Sequence, residues 1–348
     1  MPKQDPQIQR KVEHLFLAEK FFTDESFANF DKIRLLHDDL PELRLNDIDL
    51  TTDFLGTKVA LPIYFNAITG GSRQSDRFNT ELAQLAQKLN IPVSSGSMGV
   101  YFRLPEETKA SFTTLRSNNP KGFVIANVSA KANAQQSQQA VNLIKANALQ
   151  IHLNALQELA MPEGDQEFMW LDNIKDIVKN VSVPVIVKEV GFGISQINLR
   201  QLYQAGVRYV DISGFGGTNF AQIESARNHD LDLSYLDQLS LSTVESLLES
   251  RPYQNKMTIL ASGGIRTPMD VIKALRLGAS SVGMSGLVLH HLQKSSLSET
   301  ETFFEKFIQQ LQLIMAAIGA KNINDIKKAP IVLDESLVNY IKQRNLKL

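Results

Sequence analysis

Four polar side chains crowd the end of one short apolar run: after Ala148 to Ile151 come His152, Asn154, Gln157 and Glu158. At the end of a buried strand such groups are costly unless a ligand or metal satisfies them, so the cluster reads as a site. His152 alone would be an ordinary core histidine. Four polar groups within seven residues, followed by the stiff turn Met161-Pro162-Glu163-Gly164-Asp165, point to function instead. Glycine supplies a second kind of chemistry. Ala261-Ser262-Gly263-Gly264-Ile265-Arg266-Thr267-Pro268 and Val282-Gly283-Met284-Ser285-Gly286 are turns whose backbone amides can cradle a phosphate at a helix N-terminus. A further loop, Gly214-Phe215-Gly216-Gly217-Thr218-Asn219, adds donors and the Thr218 hydroxyl but would be weak by itself.

These groups need a scaffold that brings them together. From residue 61 onward short apolar runs recur at Leu61–Phe65, Ile91–Ser95, Phe123–Ala126, Ala148–Leu153, Pro184–Lys188, Tyr209–Ile212, Thr258–Ala261 and Ser281–Met284. Amphipathic stretches such as Asp76–Leu89, Ser137–Ala146, Ile197–Ala205 and Met269–Leu277 lie between them, as parallel strands require of their crossovers. Eight such units predict an α/β protein, a (β/α)8 TIM barrel over residues 61–348. Residues 1–60 form an N-terminal arm or cap. An open doubly wound sheet is the competing fold, and it has no need of eight regular units. Nearly every run ends in small or polar residues, and in a barrel those ends meet at one mouth, where active sites lie. Two long excursions, 154–173 and 214–257, have the length of lids or binding loops.

Composition removes several classes of function. The 348 residues carry a net charge of -1, so there is no basic field for nucleic acid, and no segment approaches a membrane span. Without cysteine there is no disulfide, thiolate zinc, iron–sulfur cluster or cysteine nucleophile. Met1–Arg10 is polar and lacks an apolar signal core, so a cytoplasmic protein is expected. Lys188, in Val185-Ile186-Val187-Lys188-Glu189, ends the fifth run at the expected mouth. A lysine there wants an anion or an electron-rich ring, and facing the N1–C2=O edge of a reduced flavin it would stabilise the anionic form. The plainer reading pairs Lys188 with Glu189 or Asp211 as a structural brace.

In combination the motifs resemble those of the type II isopentenyl-diphosphate isomerase family. They are Arg10-Lys11-x-x-His14-Leu15, Asn66-Ala67-Ile68-Thr69-Gly70-Gly71, the run from Gln150 to Phe168, Lys188-Glu189-Val190-Gly191-Phe192-Gly193, Asp211 to Asn219, and Ser262-Gly263-Gly264-Ile265-Arg266 through Ser285. They occur in order over nearly the whole chain, and no one of them is specific alone. The resemblance implies FMN held by Ala67, Ile68, Thr69, Ser97, Asn127, Lys188, Ser213, Thr218, Gly263, Gly264, Ile265, Arg266, Ser285 and Gly286. It also implies a homoallylic or allylic diphosphate gripped by Arg10, Lys11, His152 and Gln157, with Mg²⁺ on Glu158. One carboxylate plus diphosphate oxygens is the sparse, water-rich coordination that magnesium prefers. The implied reaction moves a double bond without net redox change, with Lys188, His152 and Gln157 at the reacting centre and NADPH needed only to reduce the flavin. Tetramers or octamers of identical subunits are also implied, and the helices after Glu299 could supply an interface.

The chain departs from the family pattern after Gly96-Ser97, where Met98-Gly99-Val100-Tyr101-Phe102-Arg103 replaces the usual glutamine and nearby arginine, and after Asn127, where Val128-Ser129 stands for leucine-glycine. Arg103 is the candidate for the displaced arginine. The rival is an FMN barrel oxidoreductase, which for a hydroxy acid wants a histidine base near the sixth and seventh strand ends, where this sequence has none. A non-catalytic flavin or phosphate carrier is a third reading, disfavoured by Glu158 and the two long loops.

Overall fold

Eight parallel strands close into a barrel in the computed structural model, which describes residues 5–72, 74–228 and 231–346. Residues 1–4, part of the polar stretch Met1–Arg10, lie outside the described residues. The strands are Ile63–Phe65, Val93–Ser94, Val124–Ser129, Ala148–His152, Val185–Lys188, Tyr209–Asp211, Thr258–Ser262 and Ser281–Met284. Each expected run therefore contains a strand. The ring shuts where Val282 pairs with Ile63. The third strand continues past Ala126 to Ser129, paired residue for residue with the fourth up to Ser129–His152.

The helical stretches appear as Gln74–Leu89, Ala134–Leu143, Gln196–Gln204 and Pro268–Arg276, each shifted from the sequence pattern by no more than a few residues. The shifts follow the caps. Asn133 accepts from Gln136 N and starts its helix ahead of the apolar pattern, and Thr267 with Asp270 forms a capping box behind Pro268.

Below the strands, the hairpin Thr52–Phe54 with Thr57–Val59 floors the barrel. Phe54 packs on Tyr64 and Phe123 at ring distances of 5.3 and 5.1 Å. A fully buried aromatic of this kind contributes roughly 1.5–3 kcal/mol, so the lower interior is sealed by apolar packing. The upper interior is polar. Buried Asp211 accepts from Tyr64 Oη at 2.8 Å, Asn66 Nδ2 at 2.7 Å and Ser262 Oγ at 2.9 Å. Gln150 continues the chain to Asn66 and Ser94.

The arm begins with a helix, Pro6–Lys20, started by proline at its first turn and by Asp5, whose side chain accepts from Gln7 N at 2.9 Å. Further on, Ile33–Leu35 pairs antiparallel with Ile331–Leu333, near the other end of the chain. No helix among the described residues is long and apolar enough to cross a membrane.

Candidate active site

The fourth strand ends at His152, and Asn154 stands at the start of the short helix Ala155–Ala160, which presents Gln157 and Glu158 on successive residues. The polar cluster is thus built by one strand-to-helix turn. His152 Nδ1 lies 3.0 Å from Asn127 Oδ1 at the top of the third strand. Burial, and then the charges of Lys188, Lys11, Arg10 and Lys131, push the imidazole down to about 3. It is therefore neutral at physiological pH.

Gln157 is buried and its Nε2 donates to Glu224 Oε1 at 3.0 Å. Glu224, from the helix Phe220–Arg227 after the sixth strand, is wholly buried. Burial opposes its charge, but His14, Gln157 and Arg227 outweigh that and hold the carboxyl below its usual range. His14 Nε2 lies 2.8 Å from Glu224 Oε1, off the line of a directed hydrogen bond. Arg227 joins three carboxylates: Glu224 at 2.5 Å, Glu13 at 2.8 Å and Glu163 at 2.8 Å. These contacts clamp the arm helix across the mouth, and the long loop 214–257 is mostly structured rather than open lid.

The arm brings Arg10 and Lys11 with it. Lys11 Nζ donates to Gly70 O at 2.5 Å and Ser97 O at 2.6 Å, and its ammonium stands 5.3 Å from the centre of the Phe112 ring. Burial, reinforced by Arg10, lowers Lys11 to about 7. Arg10 Nη1 lies 3.6 Å from Glu163. Arg103, at the cavity rim, is held by Asp5 at 2.8 Å.

Lys188 is 5% exposed and donates to the backbone carbonyl of Glu189 at 2.6 Å. The Glu189 carboxylate turns away, accepting from the amides of Val190, Gly191 and Phe192 at 2.6, 2.7 and 2.5 Å. Burial still pushes that carboxyl up to about 7. Among the described residues no carboxylate forms a salt bridge with Lys188, so the structural brace is absent. Burial lowers the ammonium's pKa against the opposing pull of Asp211, its neighbour across the strand pair, and of Glu189.

On the opposite wall two glycine turns pack backbone to backbone. A Cβ on Gly217 would fall 2.7 Å from Gly264 N, and Gly264 itself has φ +70°. Beside Gly286 a Cβ would meet nothing closer than 3.7 Å, so that turn opens to the cavity. Arg266 reaches from its turn to the arm, donating to Thr23 O at 2.9 Å and lying 4.6 Å over the Phe22 ring. Ser213, in the left-handed region at φ +33°, is steadied by its N–H to Asp211 Oδ1 at 3.1 Å. A non-glycine residue held there costs on the order of 1–3 kcal/mol, a cost tolerated mostly at functional positions.

One cavity of about 730 Å³ collects all of this. Every residue expected to bind cofactor, substrate or metal lines it, as do Arg103 and side chains that the sequence did not assign to the site, among them Lys131 and Gln136. The glycine turns, the cationic wall and Lys188 suit an anionic phosphate-bearing ring cofactor, and Asn154, which lines the cavity, keeps a buried Oδ1 without a partner. Among the described residues no three His, Asp or Glu side chains group to hold a metal. Glu158 offers a single carboxylate, accepting from Asn154 Nδ2 at 2.9 Å and Asp165 N at 2.8 Å, which fits a cation that keeps most of its ligands from water and phosphate. Glu224, Arg227 and Lys131 escaped sequence reasoning, and Asp165 was read only as part of a stiff turn. Their partners stand far away in the chain or lie within a loop that has no period.

Comparison with known proteins agrees with this geometry. Residues 107–333 match the FMN-dependent dehydrogenase family. Proteins named isopentenyl-diphosphate delta-isomerase are similar over the full length: 48% identical in Latilactobacillus sakei (100% of this chain, 99% of that one), 49% in Lacticaseibacillus paracasei (99% and 98%) and 44% in Staphylococcus aureus strain Newman (98% and 97%). Among solved structures, a flavocytochrome b2 mutant with benzoylformate superposes with a TM-score of 0.66 at 19% identity, covering 97% of this chain and 93% of that one. Mandelate oxidase superposes with a TM-score of 0.62 at 13% identity, covering 93% and 91%. At such identities these two share the fold alone.

Proposed function

The chain belongs to the type II isopentenyl-diphosphate delta-isomerase family, and from that membership we propose that it interconverts isopentenyl and dimethylallyl diphosphate by adding a proton at one carbon and removing one from another. The observation that carries this reading is the single cavity in which phosphate-type glycine turns face a cationic, amide-lined and carboxylate-bearing wall. FMN, when bound in its reduced form, would supply the acid–base chemistry, and Mg²⁺ on Glu158 would screen the diphosphate. In this reading Ala67, Ile68, Thr69, Ser97, Asn127, Ser213 and Thr218 hold the ring and ribityl chain, while Gly263 to Arg266 with Ser285 and Gly286 hold the phosphate.

The protein's own contribution is position, charge and dryness. Arg10 and Lys11 close over the diphosphate from the arm, Glu158 takes the metal, and Gln157 is aimed by Glu224. Lys188, without a salt bridge to any carboxylate among the described residues, would be the basic side chain offered to the flavin. His152, neutral, offers a lone pair or a hydrogen bond rather than a charge. An unactivated alkene is a poor base, so the site must be dry as well as acidic, and the clamped arm helix excludes water. A hydroxy-acid oxidase would need a histidine base at the sixth or seventh strand end, and those ends carry Ser213, Ser262 and Gly263.

The test is anaerobic turnover with isopentenyl diphosphate, FMN, Mg²⁺ and NADPH. Dimethylallyl diphosphate formed in large excess over NADPH consumed is the expected result. NADPH oxidised in step with a second substrate, and no isomer, would replace the reading with an oxidoreductase.

A further inference from the structure

We propose that Lys131 is a tethered counter-cation of Glu158 and Asp165, which keeps free divalent metal off Glu158 and yields it only to a metal–diphosphate complex. The proposal rests on Glu158 as the metal's carboxylate. Lys131 follows the third strand and lines the cavity, with Nζ 3.6 Å from Glu158 Oε2 and in a tighter ion pair with Asp165. Asp165 is locked in turn, its Oδ1 accepting from Gln166 N at 2.7 Å and Glu167 N at 3.1 Å while its own N–H donates to Glu158. The ammonium thus lies between two carboxylates, next to the Oε2 of Glu158.

Free Mg²⁺ finds little reason to displace it. Among the described residues no third carboxylate or imidazole joins Glu158, and a divalent cation beside an ammonium meets strong repulsion. A diphosphate reverses the balance, because it brings oxygen ligands for the metal and an anion to which Lys131 can turn. The half-exposed lysine has a flexible stem for that movement, and its charge is already felt at His152, beside which the diphosphate is placed. Metal and substrate therefore enter together, and Lys131 becomes a third basic group on the diphosphate beside Arg10 and Lys11.

The experiment measures Mn²⁺ binding to the FMN-loaded protein by electron paramagnetic resonance, first alone and then with inorganic pyrophosphate. Lys131→Gln is expected to bind Mn²⁺ alone about tenfold more tightly than the parent, Lys131→Arg no more tightly, and the Gln advantage is expected to vanish with pyrophosphate. No tightening in Lys131→Gln overturns the counter-cation, and an advantage that survives pyrophosphate overturns the hand-over to phosphate. Adding Glu158→Gln to Lys131→Gln separates the premise from the proposal. If tight Mn²⁺ binding persists in the double variant, Glu158 is not the ligand.

Discussion

Asn127 decides which nitrogen of His152 carries the proton. Its Oδ1 lies 3.0 Å from His152 Nδ1, and its Nδ2 donates to Ser95 O at 3.3 Å, so the amide is oriented to accept from the ring. In the neutral imidazole Nδ1 bears the hydrogen and Nε2 the lone pair.

That neutrality has a pH signature. His152 is pushed down to about 3 from 6.5, so below pH 6.5 the unfolded chain binds the extra proton first and stability falls with acidification. Relative to His152→Gln, the flavin-free protein should lose about 1–2 kcal/mol between pH 6.5 and pH 5, the slope rising from half of 1.36 kcal/mol per unit at pH 6.5 toward the full value below it. Glu189, raised to about 7, works in the opposite direction, gaining stability as pH falls toward 4.5, which is why the comparison is made between variants. Urea titrations at both pH values decide it, and parallel curves for the two proteins would mean that His152 is not held neutral.

Lys11 should couple substrate binding to proton uptake. At about 7 in the empty site, its amine is largely uncharged at pH 8, and a diphosphate must restore the charge to use it. Calorimetry at pH 8 in two buffers of different ionisation enthalpy should register uptake approaching one proton in the parent and distinctly less in Lys11→Met. Equal uptake in both would assign the proton to another group.

Arg10 reaches the cavity from the arm and, among the described residues, has polar contacts with Glu163 and the Met161 sulfur. Arg10→Ala is therefore expected to raise KM for the diphosphate about 10- to 100-fold, the worth of roughly 1.5–3 kcal/mol for hydrogen bonds to a charged partner, with FMN affinity unchanged. Steady-state kinetics with a flavin titration checks both halves, and an unchanged KM removes Arg10 from the substrate.

Gly263 has φ +100°, and a Cβ there would overlap Gly214 O. Gly263→Ala should cost at least about 1–3 kcal/mol in strain and weaken FMN, because the two turns can no longer interlock. Thermal melts with and without FMN read both effects. A variant that melts like the parent and keeps its flavin would show the turn to be spacious.

The barrel was legible because eight apolar runs recur and nearly all end in small or polar residues, a pattern forced by strands that are buried along their length and open at one mouth. Boundaries slipped where a cap or a longer pairing took over, as at Asn133 and Ser129. The site was legible wherever its residues share one turn, as His152, Gln157 and Glu158 do. The groups that aim them were not, because Glu224 stands 67 residues from Gln157, and a single glutamate on a helix carries no sign of which distant amide it will meet. Lys131 was hidden in the same way, its partners lying beyond the next strand.

The antiparallel pairing of Ile33–Leu35 with Ile331–Leu333 also sets a schedule. During synthesis the barrel strands emerge in order, each beside its predecessor, but the segment behind the arm helix has no strand to pair with until residue 333 has left the ribosome. Contacts of such long sequence separation form late. That pairing is thus made only on a nearly finished chain, whereas a nascent barrel stalled before that point would already have its glycine turns and, in Glu224 and Arg227, the groups that clamp the arm helix over the mouth.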